Sequence, residues 1–395
     1  MGKKRKSSHK IRVQFEKNRQ KRVRNQNLTK QSLEDLDQVA DMEHGERLSG
    51  KGSVNRYRTI LTDEDGSQRE IDESAVLSGR VLKCIGANHV VVQSDRNHSK
   101  PEVFTCTVRR VVRTLSRDSR NPVVAGDHVK FLPVNETEGV IERVEPRDRT
   151  LSRGSRREAH VIVSNVDQAV IVASVDEPVL KPGLIDRFLC STEKGQIRAI
   201  ICLNKIDLGD RVQLQRLVGQ YARLGYPVVM TDAVQGEGID ELRRLLIDKE
   251  TVFTGQSGVG KSSLLNAIQP GLWRDTGEVS GDTNKGRHTT RVTELIPLEA
   301  GGWVVDTPGI RQLELWDVAA EEVEGLFIEF RPHVSHCRFP DCSHTHETQC
   351  GVKSAVERGQ ISRLRYKNFL RIVSLENRHV RNPAFEVDFF DDQLE

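Results

Sequence analysis

The sequence predicts a multidomain chain: an N-terminal all-β barrel, a central α/β domain with a mostly parallel sheet, and a C-terminal α-helical metal-binding domain. Three observations carry this. About five short β-rich runs separated by turn residues fall between Ala75 and Val144. Strand and helix patterns then alternate around Gly255-Gln256-Ser257-Gly258-Val259-Gly260-Lys261-Ser262, a G-x-x-x-x-G-K-S loop. Finally, Cys337, Cys342, His344 and Cys350 follow the spacing C-x4-C-x-H-x5-C ahead of a helical pattern.

The boundaries read from composition are 1–75, a basic and largely disordered extension; 76–148, the barrel; 149–325, the α/β domain; 326–380, the zinc-binding helical domain; and 381–395, an acidic tail. Residues 1–30 hold twelve Lys or Arg against one acid, Glu16, although the net charge of the whole chain is only +3. Such a run resists folding and attracts polyanions. No apolar run reaches the roughly 18 residues of a membrane span, and the basic N-terminus lacks the apolar core of a secretory signal. With the glycine-rich loop, this points to the cytoplasm; a monomer without membrane attachment is expected. Its seven cysteines are not expected to form a disulfide framework.

The barrel runs are 79–85, 89–93, 104–112, 128–133 and 139–144, which suggests an OB-fold. Arg109, Arg110, Arg113, Arg117 and Arg120 cluster on or after the third run and offer phosphate contacts. The Arg-rich stretch 146–160 reads as a linker. Beyond it, strands are expected at 160–164, 168–174, 198–203, 227–231 and 250–254, and helices at 184–193, 212–224 and 239–247.

The strand 250–254 and the helix beginning near Ser263 give the glycine-rich loop its phosphate-binding context. Glycines let backbone N–H groups turn toward a phosphate, and the helix N-terminus adds partial positive charge. Lys261 can reach the β- and γ-phosphates, and the Ser262 hydroxyl can ligate Mg²⁺. Asn204-Lys205-Ile206-Asp207 closes another apolar strand as N-K-x-D. The Asp207 carboxylate can accept from guanine N1–H and its exocyclic amine, a donor pair adenine lacks. Asn204 would support the loop and the Lys205 stem would cover the base.

Downstream, the run 301–309 ends in Asp306-Thr307-Pro308-Gly309. Asp306 can hold Mg²⁺ through water, and the Gly309 N–H can sense a γ-phosphate. The polar stretch 275–291 contains Gly286-Arg287-His288-Thr289-Thr290 and reads as a switch loop; one threonine, with Thr290 favoured over Thr289, would complete the Mg²⁺ shell. The motif order is N-K-x-D, glycine-rich loop, switch threonine, D-T-P-G. Ordinary GTPases run from the glycine-rich loop to N-K-x-D, so this domain is circularly permuted.

The Cys₃His spacing supplies three thiolates and one imidazole, a closed tetrahedral set suited to structural Zn²⁺. His346 and His336 are neighbours that could compete as the fourth ligand. Cys84, Cys106, Cys190 and Cys202 are isolated and read as small buried apolar residues. The stretch 351–376 reads as one helix, with Arg363, Arg365, Lys367 and Arg371 available to RNA.

Together, G-Q-S-G-V-G-K-S-S-L, G-R-H-T-T, D-T-P-G and the cysteine–histidine spacing resemble the RsgA/YjeQ family of small ribosomal subunit biogenesis GTPases, over roughly residues 78–378. The resemblance implies GTP/GDP binding, hydrolysis stimulated by the small (30S) ribosomal subunit late in its maturation, and rRNA contact. It departs from the family pattern at the extension 1–75, at Arg291, where a third threonine often follows H-T-T, and at Asp232-Ala233, where a Ser-Ala pair usually helps hold guanine. The position after D-T-P-G, a water-orienting Gln in Ras-like enzymes, is Ile310 here. Slow intrinsic turnover follows, with Lys261 stabilising charge and His288 the local candidate to replace the glutamine. Two rival readings remain at this stage: a signalling GTPase with a protein partner, and a GTP-binding RNA scaffold with negligible turnover.

Overall fold

The computed structural model describes residues 9–14, 57–62, 71, 73–85, 89–94, 102–115, 122–153, 160–272, 293–306 and 318–381. The chain divides into two compact units, Met1–Pro146 and Arg147–Glu395.

In the first unit, β1 (His9–Gln14) and β2 (Tyr57–Thr62) pair antiparallel as a two-stranded ribbon. These two segments of the extension carry recurring β-branched residues, and the ladder satisfies backbone groups that a solvated tail would leave to water. The barrel follows: β3 (Leu77–Ile85), β4 (His89–Ser94), β5 (Val103–Val108), β6 (His128–Pro133) and β7 (Glu138–Val144). Their order is β3-β4-β5-β7-β6, and a β3–β6 pairing closes the ring. The β5–β7 pair is parallel and the others are antiparallel, the connectivity of an OB-like barrel. In β5 alternate residues are buried, so Phe104, Cys106 and Val108 face the interior. There Phe104 meets Phe131 with ring centroids 5.1 Å apart. The third strand is shorter than the expected 104–112. It stops at Val108, and Arg110–Leu115 is a helix, α1, against the strand preference of Val111 and Val112: Val112 is buried in the barrel's core cluster, and such packing overrides local propensity. Arg109 is half committed, pairing with the buried Glu142 at 2.7 Å.

In the second unit, part of the expected linker is a strand. β8 (Thr150–Arg153) pairs antiparallel with β9 (His160–Ser164), and Arg149 bonds Asp167 at 2.7 Å. The main sheet contains β10 (Gln168–Ser174), β11 (Arg198–Asn204), β12 (Val228–Thr231), β13 (Glu250–Thr254), β14 (Glu294–Pro297) and β15 (Trp303–Asp306). Its order is β12-β11-β10-β13-β15-β14, parallel except for β14 against β15. The connecting helices are α2 (Pro182–Lys194), α3 (Arg211–Arg223), α4 (Ile239–Leu246) and α5 (Lys261–Ile268). Both β10 and β11 are near-continuous apolar runs, as strands buried on both faces require. The strand carrying N-K-x-D precedes the strand carrying the glycine-rich loop in sequence, yet both point their C-terminal ends to one edge. That edge is where ligands bind in such sheets.

The C-terminal helices are α6 (Ala320–Leu326), α7 (Arg331–Val334), α8 (Gly351–Glu357) and α9 (Arg363–Arg381). The single expected helix over 351–376 is therefore two. Gly359 takes φ 71°, the left-handed conformation that ends a helix, and the chain restarts four residues later. Phe327, Phe330, Phe369 and Ile361 form the core of this part. Among the described residues no helix is long and apolar enough to cross a membrane. The expectation of a frayed tail at 382–395 lies outside the described residues.

Candidate nucleotide site and metal centre

The nucleotide edge is built around one buried amide. Asn204, the last residue of β11, is 1% exposed. Its Nδ2 donates to the Val259 carbonyl of the glycine-rich loop at 2.8 Å, and its Oδ1 accepts from the Thr231 hydroxyl of β12 at 3.0 Å. One side chain therefore joins N-K-x-D, the glycine-rich loop and the end of β12. Thr231 is a residue of this candidate site that the sequence reading missed. Its signal was its position at the end of an apolar strand, immediately before Asp232-Ala233.

Two glycines show why the loop needs its residue types. Gly255 has φ 139°, and a Cβ there would collide with the Val172 carbonyl of β10. Gly260 has φ 90°, and a Cβ there would strike Asn204 Nδ2. Both need the left-handed region as well as the space. The Lys261 amine donates to the carbonyls of Gly255 and Gln256, each at 2.7 Å, which folds the side chain back over the loop. Val259 is buried and anchors the loop, Ser257, Gly258 and Ser263 are exposed, and Gln256 and Ser262 are half-buried. Helix α5 begins at Lys261, so its unsatisfied N–H groups face the loop.

At the base end, Lys205 takes φ 61° and its amine donates to the Glu177 carbonyl. Ile206 is buried and roots the short 3₁₀ turn Ile206–Leu208, which leaves Asp207 exposed at the strand end. Asp232 is buried, and its Oδ1 accepts from the N–H groups of Val234 and Gln235 at 2.8 and 3.1 Å. It folds the turn after β12. A bidentate Arg211–Glu237 pair, at 2.7 and 2.6 Å, ties that turn to the start of α3. His288, Thr289, Thr290 and Gly309 lie outside the described residues, as does the side chain of Asp306.

The second centre is compact. The ligand atoms of Cys337, Cys342, His344 and Cys350 all lie within 4.8 Å of one another. His344 Nδ1 sits 3.2 Å from Cys350 Sγ and 3.5 Å from Cys337 Sγ. Backbone N–H groups of Gly351 and Lys353 approach the sulfurs of Cys337 and Cys350 at 3.3 and 3.4 Å, the pattern that stabilises thiolates. Three sulfurs and a nitrogen converging with such donors fit a metal ion. The alternative histidines are set aside by exposure: the His346 side chain is 84% exposed and turned to Glu347, and His336 is exposed.

The C-terminal helices are tied to the nucleotide-edge sheet by a buried ionic network. Arg365 of α9 is 1% exposed. It donates to Asp186 of α2 at 2.6 Å and to both oxygens of Glu329, at 2.7 and 3.0 Å. Asp186, fully buried, also accepts from the Tyr221 hydroxyl of α3 and from Asn368 Nδ2, each at 2.6 Å. The guanidinium lies 4.3 Å from the Phe327 ring centroid. Burial opposes its charge, but Asp186 and Glu329 outweigh that and hold its pKa well above the ordinary value. This corrects the expectation that Arg365 is available to RNA. Arg363, Lys367 and Arg371, at helical spacing on α9, are exposed.

The sequence profile of the RsgA GTPase family matches residues 144–316. A small ribosomal subunit biogenesis GTPase RsgA from Alkaliphilus metalliredigens is 41% identical over 274 residues, which is 69% of this chain and 90% of that protein. The crystal structure of YjeQ from Thermotoga maritima superposes with a TM-score of 0.62 at 34% identity, covering 76% of this chain and 99% of that one. The crystal structure of YloQ, a circularly permuted GTPase, gives 0.61 at 31% identity, with 80% of this chain and 100% of that one covered. With the N-K-x-D strand ahead of the strand that leads into the glycine-rich loop and a cysteine–histidine cluster beyond both, this chain belongs to the RsgA family of circularly permuted GTPases.

Proposed function

We propose that this chain hydrolyses GTP in late maturation of the small ribosomal subunit, and that contact with the subunit stimulates the reaction. The observation that carries the nucleotide part is the Asn204 amide, which joins the base-reading and phosphate-binding loops within hydrogen-bond distance of both neighbours. The ribosomal part rests on the names of the similar proteins.

In this reading Asp207 accepts from guanine, Lys205 lies over the base, and the N–H groups of the loop 255–263 surround the phosphates. The Lys261 amine exchanges its two loop carbonyls for phosphate oxygens, an easy move because both are acceptors at 2.7 Å. Ser262, Thr290 and Asp306 are the residues that would hold Mg²⁺, which when bound neutralises charge on the β- and γ-phosphates. Gly309 senses the γ-phosphate, and His288 orients the attacking water in place of the glutamine that Ile310 displaces. Cys337, Cys342, His344 and Cys350 hold one structural Zn²⁺, a soft-donor set that leaves no open position for catalysis. Exposed Arg363, Lys367 and Arg371, together with the barrel arginines, supply rRNA phosphate contacts.

Pelleting with purified small subunits at fixed salt tests this. Retention with a non-hydrolysable GTP analogue and release with GDP is expected. Equal retention with both nucleotides would overturn the nucleotide-gated grip.

A further inference from the structure

The imidazole of His344 has two nitrogens, and only Nδ1 faces the sulfurs. The ring is buried, with Phe330 and Phe369 flanking it at centroid distances of 6.2 and 6.4 Å. His344 takes φ 58°, and the Tyr366 hydroxyl donates to its carbonyl at 2.7 Å, so its backbone is held from α9. The remaining nitrogen, Nε2, is buried and makes no well-aligned hydrogen bond. It does lie 3.3 Å from Glu324 Oε2 on α6. A neutral imidazole that ligates through Nδ1 must carry its proton on Nε2. Leaving that N–H in an aromatic cage without an acceptor would cost free energy, and a carboxylate at 3.3 Å is the acceptor within reach.

We propose that Glu324 is a positioning residue of the metal centre: it receives the Nε2–H of His344 and fixes the Nδ1-ligating tautomer. The proposal rests on the reading of Cys337, Cys342, His344 and Cys350 as a metal site. Carboxylates that hold the far nitrogen of a ligating histidine in this way change metal affinity by about 10–100-fold. Glu324 lies on the helix that follows the D-T-P-G segment in sequence, whereas His344 belongs to the cysteine loop. The contact therefore makes retention of the metal depend on where α6 sits.

The test is zinc competition between the full-length protein and a chromophoric chelator, for the wild type, Glu324→Ala, Glu324→Gln and the neighbouring surface control Glu321→Ala. The expected result is a loss of zinc affinity of about 10–100-fold for Glu324→Ala and a smaller loss for Glu324→Gln, whose amide oxygen still accepts. Glu321→Ala is expected to match the wild type. In the Co²⁺-loaded protein, the ligand-field bands are expected to shift for the Glu324 variants alone, a change that a general loosening of the fold would not confine to them. Affinities within about twofold of wild type for both Glu324 variants, or an equal loss in Glu321→Ala, would overturn the role of Glu324. A wild type that takes up no zinc would overturn the metal reading itself, a result distinguishable from failure of the Glu324 variants alone.

Discussion

Arg365 and Asp186 are 179 residues apart in sequence, and their charged groups meet at 2.6 Å in a fully buried contact. Through them α9 of the C-terminal helices is fixed to α2 beside the strands of the candidate nucleotide edge. Lys194–Glu322, at 2.8 Å, adds a second tie between α2 and the C-terminal helices at their surface. A buried pair with one partner removed is far worse than no pair, because the survivor keeps its charge without compensation. Arg365→Ala strands Asp186 and Glu329, so a loss of about 3–5 kcal/mol is expected in denaturant unfolding. Asn368→Ala, which removes one neutral donor from Asp186, is expected to cost about 1–3 kcal/mol. A loss below about 1 kcal/mol for Arg365→Ala would mean that the network does not hold the helices.

Base recognition gives a second expectation. Asp207→Asn replaces a double acceptor with an amide that presents a donor to guanine N1–H. GDP affinity is expected to fall by about 10–150-fold, the worth of a hydrogen bond to a charged group, and XDP affinity to rise. Asn204→Ala is expected to weaken GDP and XDP alike, because it frees the Val259 carbonyl and the Thr231 hydroxyl rather than any base contact. Fluorescent-nucleotide titration separates the two patterns.

The motifs of the candidate nucleotide edge could be read from the sequence because they are local. Glycine spacing, N-K-x-D and strand-ending aspartates each occupy a few consecutive residues. Cys337, Cys342, His344 and Cys350 were legible for the same reason, although only burial separates His344 from His346. What stayed hidden depends on distant partners. Arg365 resembles its neighbours Arg363 and Lys367 in sequence and differs only because Asp186 and Glu329 meet it. The α1 helix runs against the strand preference of Val111 and Val112, so packing decides there, whereas the break at Gly359 carried a local signal, a glycine suited to a helix end, inside the stretch read as one helix. Asp232 departs from the family pattern, and its carboxylate proves to be spent on the turn's own N–H groups.

The bidentate Arg211–Glu237 pair joins the two loops on either side of the base site. It is exposed, so its effect is modest and screened by salt. Glu237→Arg is expected to speed GDP dissociation by about two- to fivefold at low ionic strength, and Arg211→Glu combined with Glu237→Arg to restore it. Stopped-flow release at two salt concentrations reads this; equal rates in the single and double variants would remove the clamp.

Thiol reactivity separates the cysteines. Burial pushes Cys106 and Cys202 up to about 12 and raises Cys190 as well, so all three hold their protons at pH 8. Burial raises Cys342 to about 12 as well, so the difference lies in the loop: once a chelator removes a bound metal, the cysteine loop is expected to open and Cys337, Cys342 and Cys350 to react with a disulfide reagent, the three core thiols only in denaturant. Loss of helical signal on chelation is expected to accompany this, since metal binding and folding are coupled. Rapid reaction of Cys202 in the native protein would contradict its place in the sheet core.

The most direct measurement is GTP hydrolysis by the purified chain alone, with small ribosomal subunits, and with large subunits, at fixed salt. Slow turnover alone and strong stimulation by the small subunit only is the expected result, with Lys261→Ala abolishing it and His288→Ala lowering the stimulated rate. Equal rates in all three mixtures would contradict a subunit-gated GTPase.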